Sequence, residues 1–357
     1  MSGGARVAAA ALVASLAACG GSSSGPSPTP TPSTTASPAG HFDYNGITHV
    51  SWWHDEYGYA AGTESRRALA GTGSGWAGLL ATWYMDTKSS NLIAPNPDSS
   101  NDDDVVRKAI DELHGLGLKV MLKPHVDVRD GTWRAQITPA DAGRWFESYA
   151  DFMDHYVAIA VEKKVEMICI GTELASMSGS PYATQWSAQV SRIRSRYTGL
   201  LTYAANGVDA ADEFTSVSFW SQIDLIGADV YTPLTDQTNP TRAELVAGWR
   251  KNRNGADMVA AFHNVQQAYG KPFIFTEIGY RSGDGANRAP WDWGLSMAAD
   301  PAEQADCYAA MFEVWTRETW MKGPFWWAWD VNPPAAGDTG YNPRGKAAED
   351  VLRQWQK

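Results

Sequence analysis

Short apolar runs closed by polar tips alternate with amphipathic stretches along most of this chain. Met167-Ile168-Cys169-Ile170-Gly171-Thr172 runs into Glu173, and Pro272-Phe273-Ile274-Phe275-Thr276 runs into Glu277. Continuous apolar runs of this length read as strands buried on both faces, the habit of parallel sheets. The pattern predicts strands over 47–53, 79–85, 119–127, 165–173, 200–206, 223–231, 272–280 and 323–330.

Helical periodicity fills the gaps. Asp102, Asp103 and Asp104 open a helix whose buried stripe is Val105, Val106, Ala109, Ile110 and Leu113, and Gly115 or Gly117 ends it. Residues 145–163 and 185–196 read as further amphipathic helices. Strands alternating with helices predict an α/β fold, a closed parallel (β/α)8 barrel, as one catalytic domain over 41–357. A doubly wound open sheet would carry a Gly-rich phosphate loop after its first strand, and Trp52-Trp53-His54-Asp55 is nothing like one.

The first 40 residues stand apart from this pattern. Arg6 precedes an apolar stretch from Val7 to Ala18, ending Leu16-Ala17-Ala18-Cys19, the form of a secretory signal with small residues at its cleavage site. A cysteine in that place resembles the bacterial lipobox, which implies a signal peptide over 1–18 and lipidation of Cys19. Residues 19–40, rich in Pro, Ser and Thr, form a solvated tether. No other stretch approaches the ~20 apolar residues that a membrane span needs. The expectation is an exported monomer, anchored to a bacterial membrane through Cys19, with its catalytic domain outside the cytoplasm.

Composition sharpens the function class. A net charge of -11 argues against nucleic acid, whose phosphates demand a basic surface. The 17 tryptophans suit flat, partly apolar ligands such as sugar rings. Cys169 lies in a predicted strand and Cys307 in a predicted helix, so two buried thiols are expected and not a disulfide.

A barrel places its chemistry at the C-terminal ends of the strands. Glu173 closes the fourth strand and Glu277 the seventh, about 35 residues per βα unit apart, close to the ~31 of a typical barrel. Alternation puts Cys169, Gly171 and Glu173 on one face, and likewise Phe273, Phe275 and Glu277, so both carboxylates are expected in one mouth. Such a pair is the minimal equipment for glycosidic cleavage. Other mouth candidates are Trp53 and His54, Trp83, Lys123 and His125, Asn206, Asp229 and Tyr231, then Tyr280, Trp291 and Trp293. Lys123 and His125 are expected to donate to sugar hydroxyls. His49, His54, His125, Asp229 and His263 lack metal-ligand spacing, so no metal or other cofactor is expected.

Gly171-Thr172-Glu173-Leu174, Phe275-Thr276-Glu277-Ile278-Gly279-Tyr280 and Leu122-Lys123-Pro124-His125 together resemble glycoside hydrolase family 113. That family belongs to the clan A (β/α)8 retaining glycosidases and acts mainly on β-1,4-mannan. The resemblance implies Glu173 as acid/base, Glu277 as nucleophile, and Tyr231 as a hydroxyl positioning that nucleophile. It implies a sugar platform at Trp327, with Trp329 on the same face by alternation as a mouth wall. Thr172 departs from the clan, which commonly has Asn there to contact the substrate 2-hydroxyl, and this leaves mannose against glucose open. The expected activity is double-displacement cleavage of β-mannan or its oligosaccharides. The alternatives are another clan A β-glycosidase (a β-mannosidase or β-glucanase), or a surface barrel that binds polysaccharide without cleaving it.

Overall fold

The computed structural model describes residues 42–356, so the expected signal peptide, Cys19 and tether lie outside the described residues. The strands are Gly46–Val50 (β1), Trp76–Met85 (β2), Lys119–Val128 (β3), Met167–Thr172 (β4), Leu200–Asn206 (β5), Ile226–Val230 (β6), Phe273–Ile278 (β7) and Met321–Asp330 (β8). They close into a parallel barrel in chain order, with β8 pairing back on β1. Helices cover it outside: Ala60–Ala70 (α1), Asp103–Gly115 (α2), Ala142–Lys163 (α3), Ala183–Arg194 (α4), Arg242–Gly248 (α5), Met258–Tyr269 (α6), Pro301–Trp315 (α7) and Ala347–Trp355 (α8). Each of the eight expected strands is present, and this is a (β/α)8 barrel.

Side chains sort the boundaries. The first strand was expected to reach Trp53 but stops at Val50. There Ser51 Oγ donates to the Trp53 carbonyl and the Trp52 N–H donates to Glu56 Oε2, and together these bonds turn the chain. Helix α3 starts at Ala142, ahead of the expected 145, because Asp141 caps it by accepting from the Arg144 N–H at 3.1 Å.

Two apolar layers hold the barrel. Trp76, Met121, Met167, Cys169, Ala204, Leu225, Ile274 and Phe325 fill its interior. Val120, Leu122, Ile168, Ile170, Phe273 and Phe275 face outward against the helices. Cys169 and Cys307 are both buried free thiols.

Alternation fails at three places beside the mouth, and a fourth register shift lies at the start of β8, between Met321 and Pro324. In β4, Cys169 pairs with Thr202 and Thr172 with Ala204, so β4 spends three residues where β5 spends two. In β7, Phe275 and Glu277 face the consecutive residues Ala228 and Asp229. In β8, Trp326 and Trp329 face Ile47 and His49. Each shift inserts one residue and reverses the in/out parity beyond it, as a β-bulge does. Gly171 therefore faces Tyr149 and Tyr203 outside, and Phe273 and Phe275 face outward while Glu277 turns in. The faces expected for Gly171, Phe273 and Phe275 are corrected accordingly.

Candidate active site

Glu277 lies on the floor of the mouth, with a side chain only 6% exposed. Its Oε2 accepts from the Tyr231 hydroxyl at 2.7 Å, and its Oε1 accepts from Lys123 Nζ. Lys123 also meets Asp229 at 3.0 Å, and Thr276 Oγ1 donates to Asp229 at 2.7 Å. Burial and the charge of Glu277 push the Asp229 carboxyl up, while Lys123 opposes the shift. His125 Nε2 lies 3.8 Å from Glu277 Oε1. Burial, with the positive charges of Arg134 and Lys123, holds His125 well below the usual imidazole range, so its ring is neutral.

Glu173 follows β4 directly and has a left-handed backbone, φ 52°. That conformation is uncommon outside glycine and costs of order 1–3 kcal/mol. It is held by the Glu173 N–H on the Ala204 carbonyl at 2.7 Å and the Leu174 N–H on the Tyr203 hydroxyl at 2.9 Å. The Glu173 Oε2 accepts from Trp133 Nε1 at 3.2 Å and from Arg134 Nη1 at 3.1 Å. Burial pushes the Glu173 carboxyl up; Arg134 opposes that and the negative charge of Glu277 adds to it. Arg134 itself is committed to Asp127 through Nε at 3.0 Å and Nη2 at 2.6 Å.

Trp327 stands half-buried in the mouth, its ring parallel to His125 with centroids 6.3 Å apart. It lies within the β8 shift, and its peptide bond to Ala328 is cis. Gly279 makes this packing feasible, because a Cβ there would lie 2.7 Å from the Trp327 carbonyl and 3.0 Å from the Tyr341 ring. Trp52 meets Trp327 edge-on at 6.2 Å, and Tyr341 meets Tyr231 at 6.2 Å. Two rim loops are tied together by Arg281, which donates to the carbonyls of Asp292, Leu295 and Thr339.

Eleven of the sequence-expected residues fall into three groups. Glu173, Glu277, Tyr231, His125 and Trp327 lie together in the mouth. Thr172 and Asn206 are buried at their strand ends, each with an unpaired side-chain oxygen, while Asn206 Nδ2 donates to Glu213 at 2.8 Å. Trp53, Trp291 and Trp293 are exposed on loops after β1 and β7, and His54 is an exposed partner of Asp102.

Four expectations are corrected. Lys123 is wholly buried beneath Glu277, where its carboxylate partners keep it from reaching a sugar. Trp329 is turned outward by the β8 shift, fully buried, donating to the Ser65 carbonyl of α1. Tyr280 is fully buried in the layer between barrel and helices. Trp83 packs against Phe152 and His155 of α3, 5.6 and 5.0 Å away. Sequence reasoning missed Asp127, Trp133, Arg134, Trp52 and Tyr341. A Trp-Arg pair just past the end of the third strand was the one available signal.

The model of Glycoside Hydrolase Family 113 matches residues 49–346. Among solved structures, the family 113 β-mannanase AaManA from Alicyclobacillus acidocaldarius, in complex with ManMIm, is 31% identical with a TM-score of 0.78, over 88% of this chain and 97% of that one. A second family 113 β-1,4-mannanase complex is 29% identical at the same TM-score, covering 88% and 99%. XacCel5A in complex with cellopentaose, 10% identical with a TM-score of 0.55 over 88% and 99%, shares the fold alone. Among curated proteins none matches. The opposed carboxylates in a tryptophan-lined barrel mouth agree with the match that spans most of the chain: this protein belongs to glycoside hydrolase family 113.

Proposed function

We propose that this glycoside hydrolase is an endo-acting β-1,4-mannanase that works by double displacement. The observation that carries the reading is the contrast between the two glutamates. Glu277 accepts from a lysine and a tyrosine, whereas Glu173 is pushed toward its protonated form by burial. Glu277 attacks the anomeric carbon while Glu173 protonates the departing oxygen. Glu173 then takes a proton from water, and that water releases the sugar from Glu277. Trp327 supplies the platform beneath the ring, and Thr172, Asn206 and His125 offer unpaired polar atoms at adjoining strand ends. Mannan is favoured as substrate because the solved relatives at 28–31% identity are named β-mannanases.

Proton NMR of mannohexaose cleavage tests this. The β-anomer first, with mixed oligomers early, is expected; the α-anomer first overturns retention, and mannose alone from the start overturns endo action. No cleavage across a β-glycan panel overturns the enzyme reading and favours a binding barrel. Glu173→Ala and Glu277→Ala are each expected to lose mannan cleavage by at least about a hundredfold.

We further propose that the mature chain is a monomer exported and held on a membrane through lipidated Cys19. Cys19→Ser is expected to release the activity into the medium, and retention on membranes overturns this.

A further inference from the structure

The charged groups beneath the mouth repeat one pattern. Arg134 is shared between Asp127 and Glu173, and Lys123 between Asp229 and Glu277. Each reacting carboxylate thus shares its cation with an aspartate. The Lys123–Asp229 pair is the deeper one, with both side chains 0% exposed. Asp229 is fixed by Lys123 Nζ at 3.2 and 3.0 Å from its two oxygens and by the Thr276 hydroxyl at 2.7 Å. Neither side chain is open to solvent at the mouth.

We propose that Lys123 and Asp229 are positioning residues that balance charge for Glu277, Lys123 serving the free carboxylate and Asp229 serving Lys123 while Glu277 is bonded to the sugar. This rests on Glu277 being the nucleophile of a double displacement. In the first step a bond forms from a Glu277 oxygen to the anomeric carbon, the glycosidic bond breaks, and the leaving oxygen takes the Glu173 proton. Glu277 passes from carboxylate to ester and loses its charge.

A lysine facing Glu277 alone would then be a bare buried ammonium, which is strongly unfavourable. Asp229 prevents that state. Burial works against the Lys123 ammonium, and the charges of Asp229 and Glu277 overcome it, holding its pKa above that of an ordinary lysine. When water releases the sugar, Glu277 regains its charge with Lys123 still in reach. Lys123 therefore has a counter-ion at each stage of the cycle.

The test compares Asp229→Asn, Lys123→Met and the double variant on an aryl β-mannobioside, with folding checked by circular dichroism. Asp229→Asn is expected to lower kcat/KM about 100-fold with the dissociation constant for mannotriose unchanged, since neither side chain is open to solvent at the mouth. Lys123→Met is expected to move the acidic limb of the kcat/KM profile to higher pH. The double variant is expected to lose at least tenfold less than the product of the single losses, because removing both charges leaves no bare ion. Multiplicative losses, or wild-type kcat/KM in Asp229→Asn, overturn the proposal. If Asp229→Asn fails to fold, Thr276→Val, which removes one hold on Asp229, is expected to lower kcat/KM with mannotriose binding intact; unchanged kcat/KM there overturns it. An inverted product from the wild-type enzyme marks failure of the underlying mechanism and not of this pairing alone.

Discussion

Arg134 Nη1 lies 3.1 Å from Glu173 Oε2, yet the same guanidinium spends its Nε and Nη2 on Asp127. Glu173 thus has a cation whose charge is already half claimed. That suits a carboxyl that must hold a proton and then release it. Arg134→Ala removes the larger of the two charges, its own and that of Lys123, that hold the Glu173 pKa down, so the alkaline limb of kcat/KM is expected to move to higher pH. The loss of orientation is expected to lower kcat about ten- to a hundredfold. A pH profile of the variant beside wild type checks both.

Tyr231→Phe removes the 2.7 Å bond to Glu277 and little else. A hydrogen bond to a charged group contributes about 1.5–3 kcal/mol. The expected result is a roughly 10- to 100-fold fall in kcat with KM nearly unchanged, read by steady-state kinetics on mannohexaose.

Gly279→Ala places a methyl 2.7 Å from the Trp327 carbonyl and 3.0 Å from the Tyr341 ring. Backbone cannot yield as a side chain does, so Trp327 must shift. Overpacking of this kind costs about 1–3 kcal/mol. Urea unfolding is expected to show that loss, and KM is expected to rise.

Glu213 gives a pH test apart from the reacting pair. Burial pushes this carboxyl up to about 7, despite bonds from Tyr203, Ser178 and Asn206. A carboxyl with a folded pKa above its unfolded one binds its proton more tightly in the fold. Stability is therefore full below the unfolded value near 4.5 and falls as pH rises toward 7. The shift corresponds to about 3 kcal/mol. Glu213→Gln is expected to flatten the fall in urea midpoint between pH 5 and 7.5.

Much of this was legible in the chain because burial on both faces writes strands as unbroken apolar runs. Glu173 and Glu277 stood out because a carboxylate closing such a run is conspicuous. The faces were not legible. Period-two counting carries parity along a strand, and a single inserted residue reverses it. Trp329 and Phe275 were misplaced for that reason, while Glu173 and Glu277 arrived in the mouth by way of the irregularities. Lys123 was read as a donor to sugar because its face was right and its depth was unknown. Arg134 and Trp133 lie past the end of β3, where no periodicity marks them.

Arg281 joins the segment around Asp292 and Leu295 to the segment around Thr339, and Tyr341 adds its hydroxyl to the Pro290 carbonyl. Two stretches distant in sequence thereby become one wall. A saccharide chain entering on that side meets a surface already set, and little of its binding free energy goes into ordering loops. Changes in either stretch will be felt by both, so the width of the groove on that side is a joint property of the two.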